Sequence, residues 1–319
     1  MPRHVTLIAA LLAVLAVAGC STSGRTDSQR RTVPVRHYDL DHPVLFDPAF
    51  DPATLRAVDP CATLRAAGLD RYGKPARDTT GALGACSNFM KDRNGKDFNL
   101  TLSFEGDLSD GSKHLVGGLP TDIAPSEGGC FVRSAYRGGA GPPFGTPKGM
   151  VVQLSTETAD PCSPAVEIMS DVVRVLRSNP PIGGRASGSL GAFDPCAMID
   201  PAAARDAAAG ASSRGEPDGI YACDWQPDNG VELHVEFTTG APEPGSLPPA
   251  DIGGAQASVT PSADMPSCRV EWEHRRNANS VGDSELVRVS VTNSNKLPLD
   301  PCANAVNLAR TVRPKLPTA

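Results

Sequence analysis

Two stretches of the chain alternate apolar and polar residues strictly. Phe98, Leu100, Leu102 and Phe104 are interleaved with Asn99, Thr101 and Ser103, and Val231, Leu233, Val235 and Phe237 with Glu232, His234 and Glu236. A period of two predicts strands with one face in a core and the other in water. Each run follows an Asn-Gly pair, Asn94-Gly95 or Asn229-Gly230, which is preceded by a cysteine-bearing segment, Cys86 to Met90 or Cys223 to Trp225. Asn-Gly tolerates the positive φ of a tight turn, so each set reads as a hairpin. A Gly-rich turn comes next in both places, at Gly117-Gly118-Leu119-Pro120 and at Ile252-Gly253-Gly254-Ala255. Two further strands follow, Cys130 to Tyr136 with Val151 to Ser155, and Cys268 to Glu273 with Leu286 to Val291. The period then changes to that of a helix. Ala165, Ile168, Met169, Val172, Val173 and Leu176 share one helical face, as do Ala305, Leu308, Ala309 and Val312.

Punctuating this pattern is Asp-Pro-Cys, at Asp59-Pro60-Cys61, Asp160-Pro161-Cys162, Asp194-Pro195-Cys196 and Asp300-Pro301-Cys302. The Asp carboxylate accepts from free first-turn amides, and Pro is tolerated at the first helical position, so each copy should open a helix or tight turn. The cysteines repeat with nearly constant offset: 196−61=135, 223−86=137, 268−130=138 and 302−162=140. The chain is therefore read as a tandem duplication. In the second copy Asp200-Pro201 should start an Ala-rich helix running towards Gly210; Cys61 to Gly68 occupies that place in the first copy and reads as less regular. Asp47-Pro48 and Asp51-Pro52 are turn or helix-start signals in a lead-in, Val44 to Val58, expected to pack on the first domain.

Cysteine arithmetic settles the ends of the picture. Nine cysteines leave one over after four pairs. A basic start, an apolar run from Val5 to Val17 and Ala18-Gly19-Cys20 have the layout of a secretory signal peptide. Val17-Ala18-Gly19-Cys20 resembles a bacterial lipobox, which implies cleavage before Cys20 and its lipidation. The expected organisation is a signal peptide at 1–19, lipidated Cys20 with a flexible tether at 20–43, a first domain at 44–180, a breaker-rich linker at 181–192 and a second domain at 193–319. Arg25, Arg30, Arg31 and Arg36 in the tether would gain about 1 kcal/mol each beside anionic headgroups, or else belong to a plain soluble spacer. Export implies an oxidising compartment, where the other eight cysteines persist as disulfides. Four cysteines per repeat allow about three connectivities each.

The whole frame resembles a family of secreted actinobacterial lipoproteins, mycobacterial and streptomycete in type, that carry a small domain of unknown function. Its marks are Asp-Pro-Cys, then Cys-x-Trp, a third Cys and a closing Asp-Pro-Cys. Cys223-Asp224-Trp225 matches the middle motif, whereas Cys86-Ser87-Asn88-Phe89 lacks the Trp. With short loops, the resemblance implies Cys61 to Cys86, Cys130 to Cys162, Cys196 to Cys223 and Cys268 to Cys302. The fold class expected is α+β: two similar domains, each an antiparallel sheet flanked by N- and C-terminal helices and held by two disulfides. The family has no established activity, so the resemblance adds compartment and fold, and no chemistry.

Candidate chemistry is sparse. The six His are His4, His37, His42, His114, His234 and His274, and none shares a helix-face spacing that would hold a metal. Each reads as a solvated surface residue. Gly138-Gly139-Ala140-Gly141 precedes Pro142-Pro143 and not a helix, so it makes no phosphate cradle. Asp92 to Asp97 has the flavour of a calcium loop, but the hairpin turn explains it better. The repeated Asp residues have capping work, and Trp225 and Trp272 should be core. A net charge of −6 with pI near 5.5 argues against a nucleic-acid surface. The expectation is a non-enzymatic binding or interaction module, without metal or cofactor, held at the membrane by Cys20 and meeting an envelope protein or an apolar ligand. A carrier of an apolar ligand and a hydrolase are the alternatives.

Overall fold

The computed structural model describes residues 47–79, 82–108, 114–137, 148–156, 160–183, 186–276 and 283–318. The signal peptide, Cys20, the tether with its arginines, His37, His42 and the 138–141 loop lie outside these residues.

The first strands rise from the predicted hairpins. In repeat one, β1 (Lys74–Thr79), β2 (Ala85–Lys91), β3 (Asp97–Ser103), β4 (His114–Val116), β5 (Leu119–Ser126), β6 (Gly129–Arg137) and β7 (Lys148–Ser155) form a seven-stranded sheet in the order β1-β2-β3-β7-β6-β5-β4. In repeat two, β8 (Gly215–Pro217), β9 (Ala222–Trp225), β10 (Val231–Gly240), β11 (Leu247–Asp251), β12 (Gln256–Pro261), β13 (Ser267–Arg276) and β14 (Ser284–Asn293) run in the order β11-β12-β13-β14-β10-β9-β8. Read from the other end, the second order is the first. Every pairing is antiparallel. The turn before β3 is stapled by Asp92, whose carboxylate accepts from the amides of Asn94 and Lys96, both at 2.8 Å.

Helices cover one face of each sheet. α1 (Pro52–Ala57) belongs to the lead-in, α2 (Pro60–Ala66) and α3 (Cys162–Ser178) to repeat one, α4 (Pro201–Ala207) and α5 (Pro301–Val312) to repeat two. Pro at the first position and an Asp cap start α1, α2, α4 and α5, as the sequence predicts. Asp160 caps α3 as well, accepting from the amides of Cys162 and Ser163 at 3.1 Å each. Asp194 opens only a 3-10 turn, Pro195–Ala197. The segment after Cys61 is not less regular than its counterpart: α2 and α4 are both seven residues long, and Gly68 (φ 81) and Gly210 (φ 87) follow them in the left-handed conformation.

The core lies between these layers. Leu100, Leu102 and Phe104 from repeat one and Leu233, Val235 and Phe237 from repeat two are almost fully buried, as are Ile168, Met169 and Val172 on α3 and Leu308, Ala309 and Val312 on α5. Each large aliphatic side chain removed from water contributes about 1.5–3 kcal/mol. Four disulfides join Cys61–Cys86, Cys130–Cys162, Cys196–Cys223 and Cys268–Cys302, with sequence separations of 25, 32, 27 and 34. By the loop-entropy model each closure is worth roughly 3 to 4 kcal/mol. Each ties a helix or turn start to a strand within its own repeat, and such bonds belong to an extracytoplasmic, oxidising compartment.

The chain between the repeats is held down. Asp59 N donates to Pro181 O at 2.9 Å, and Gly183 N to Ala57 O at 3.0 Å. Ser189 Oγ and Leu190 N donate to the buried Glu285 carboxylate at 2.8 and 2.7 Å, and Arg275 pairs with that carboxylate at 2.9 Å. The two repeats belong to one compact unit. Among the described residues, no helix is long and apolar enough to cross a membrane.

Candidate functional site: the junction of the repeats

The outer faces of the two sheets occupy equivalent positions and carry different chemistry. Cys86 pairs with Leu102 and Cys223 with Val235, which fixes the correspondence. One residue along, Ser87 faces Thr101 in repeat one, and their hydroxyls are 2.7 Å apart. The same position in repeat two holds Asp224 and His234, with Nδ1 of the ring 2.6 Å from Oδ1 of the carboxylate. His234 is thus half-buried and paired, not the solvated surface residue expected from sequence. Burial favours its neutral ring, but the hydrogen bond and charge of Asp224, aided by Glu236 and Asp218, outweigh that and raise its pKa.

The next row differs as well. Glu236, Arg288 and Glu271 stand side by side on β10, β14 and β13. Arg288 Nε donates to Glu271 Oε2 at 2.6 Å and its Nη1 reaches Glu236 at 3.4 Å. Glu271 is buried, and it also accepts from the Glu243 amide at 3.1 Å. The corresponding residues of repeat one are Ser103, Val151 and Arg133, which form no such row.

Repeat one reaches into this region through three side chains. Arg56 of α1 donates to Ile220 O at 2.9 Å and lies 3.4 Å from Asp194. Glu105, just past β3, accepts from the amides of Ile220 and Tyr221. Burial pushes its carboxyl above the ordinary range, against the lowering pull of those two amides and of Lys148. Lys148 Nζ sits 2.9 Å from Asp107 and 3.3 Å from Asp218 in the β8–β9 turn. Asp218, Asp224 and His234 bring their ligand atoms within 4.8 Å of one another.

The other sequence candidates have structural places. Asp59, Asp160, Asp194 and Asp300 all cap first-turn amides. Trp225 and Trp272 are buried. His114 is exposed on β4 and His274 lies 3.0 Å from Gly188 O. Helix-face spacing could not find the Asp224–His234 pair, because it spans two strands. Symmetry about Asn229-Gly230 does not find it either, because that two-residue turn sets a register sum of 229+230=459, whereas the observed pairs 224+234 and 223+235 sum to 458.

The molecule is thus a disulfide-stapled tandem α+β protein. No family model and no curated protein matches the chain. Among solved structures it is similar to the immunity protein TplEi of T6SS from Pseudomonas aeruginosa, complexed with "L" peptide, at 11% identity over 77% of this chain and 98% of that one. With a TM-score of 0.27, that similarity carries no argument about fold or function.

Proposed function

We propose that the protein is a lipid-anchored, non-enzymatic interaction module of the cell envelope, held by Cys20 at the outer face of the cytoplasmic membrane and related to the actinobacterial lipoproteins it resembles. One observation carries the reading: the two sheets keep a common frame yet present different side chains at matched outer positions. A protein with one catalytic site per domain would be expected to repeat a reactive group, and Ser87–Thr101 against Asp224–His234 repeats none. The partner is an envelope protein that reads the two faces separately.

A carrier of an apolar ligand requires a cavity between helix and sheet. Among the described residues, buried side chains such as Ile168, Val172 and Leu308 pack that interface. A groove of about 360 Å³ lies instead at the surface, between α5 and strands β11 and β12, open to solvent and lined by residues including Leu247, Val259 and Val306. Cross-linking in native envelopes tests the proposal. The expected result is a discrete cross-linked protein partner, and Cys20→Ser should abolish lipid labelling. A purified chain that turns over an envelope lipid, glycan or peptide, with activity lost on changing one polar residue while folding is kept, would sink it.

A further inference from the structure

Asp218, Asp224 and His234 come from a turn and two neighbouring strands and converge at the junction of the repeats. We propose that these three residues bind a first-row divalent metal ion, best matched by zinc. One imidazole nitrogen with two carboxylates is a mixed donor set suited to zinc and its neighbours, while calcium prefers about six to eight oxygens. Ligands at about 2.0–2.2 Å from a tetrahedral ion lie roughly 3.4 Å apart. The donors stand within 4.8 Å of one another, so small side-chain movements suffice: His234 Nδ1 and Asp224 Oδ1, 2.6 Å apart, give up their hydrogen bond and open slightly while Asp218 draws in. The side chains have room for it, being 35%, 29% and 31% exposed. Three protein ligands leave a coordination position for water or a ligand from outside.

The comparison of the repeats supplies an independent reason. At the same cross-strand position, Ser87 and Thr101 satisfy the sheet with one neutral hydrogen bond. The frame therefore does not require ionic groups there, and partly burying them costs desolvation that hydroxyls avoid. Repeat two holds an ionic pair at that position, with Asp218 alongside it. Glu236 adds further negative charge nearby, and the cation now facing the trio is Lys148 of repeat one, 3.3 Å from Asp218. On metal binding Lys148 releases Asp218 and keeps Asp107.

The inference stands apart from the interaction-module reading, since metal uptake needs no partner. Its test is a calorimetric titration of the full chain, disulfides formed, at neutral pH with zinc and, in a separate run, with calcium. The expected result is one ion per chain. The double variant Asp224→Ser/His234→Thr, which installs the pair of repeat one, should bind about tenfold more weakly or worse with its unfolding transition kept. Asp218→Asn, in a turn, should also weaken binding, and decides the matter should the double variant misfold. Lys148→Gln, removing the competing cation, should tighten binding. No uptake by the unchanged chain, uptake unaffected by the double variant and by Asp218→Asn, or preference for calcium overturns the proposal.

Discussion

Repeat one and repeat two are the same sheet built with two polar vocabularies. Strand order, the closing Asp-Pro-Cys helices and the disulfides coincide, so the chain kept what closes the core. The differences come in matched sets. Two residues after the second cysteine of each repeat stand Asn88 and Trp225, both buried, and opposite them stand Asp78 and Gly215. Asn88 donates to Asp78, whereas a Cβ at Gly215 would come within 2.8 Å of the Trp225 ring. A large ring with a glycine and a small amide with a carboxylate are two ways to fill one place. The Trp missing from the first copy of the sequence motif is therefore compensated across the strand, and residues on the outer face are free to diverge because they carry little of the packing.

The largest test of the shared frame is removal of a disulfide. Cys61→Ala/Cys86→Ala and Cys196→Ala/Cys223→Ala should each cost about 2–5 kcal/mol in urea unfolding, similar for both because the closed loops differ by only two residues, 27−25. A bridge that can be removed from one repeat at no cost would break the equivalence.

A swap of vocabulary comes next. Gly215→Asp should cost about 1–3 kcal/mol by overpacking against Trp225, and adding Trp225→Asn should recover part of the loss. Equal stability of Gly215→Asp and the unchanged chain would remove the compensation argument.

At the junction, Glu105→Ala orphans two amides, Ile220 N and Tyr221 N, at about 1–3 kcal/mol for each unsatisfied buried group, while Glu105→Gln keeps an acceptor and should unfold near the unchanged chain. The smallest effect is the pH dependence. Because the folded pKa of Glu105 is raised, its favourable contribution is present below the ordinary carboxylate pKa and is lost as pH rises through the raised value. Across that window the stability of the unchanged chain relative to Glu105→Gln should fall. A flat difference would mean that the carboxylate is better solvated at the junction than its burial implies.

Much of this architecture is legible in the sequence. Alternation and Asn-Gly mark β2, β3, β9 and β10, the cysteine offsets reveal the duplication, and Asp-Pro marks the helix starts. Strands β1, β4, β5, β8, β11 and β12 escape the pattern. They are short or lie in the outer halves of the sheets, and Pro75, Pro120, Pro125, Pro217, Pro248, Pro249 and Pro261 interrupt most of them. Such positions tolerate Pro because not every amide there joins a ladder, and Pro also discourages edge pairing with another chain. The candidate site is less legible. Asp224 and His234 meet only through hairpin register, Asp218 joins them through the β8–β9 turn, and Lys148 and Glu105 arrive only through the packing of one repeat on the other, which no local period records.

The central claim is that the divergent outer faces, and not the common frame, carry the function. Two variants address it in one cross-linking experiment in native envelopes. Asp224→Ser/His234→Thr/Glu236→Ser gives repeat two the outer residues of repeat one, and Phe89→Ser removes an aromatic ring that is 55% exposed on repeat one. The account predicts that one variant loses a cross-linked species that the other retains, with both folded as the unchanged chain is. Retention of every species by both variants would contradict it.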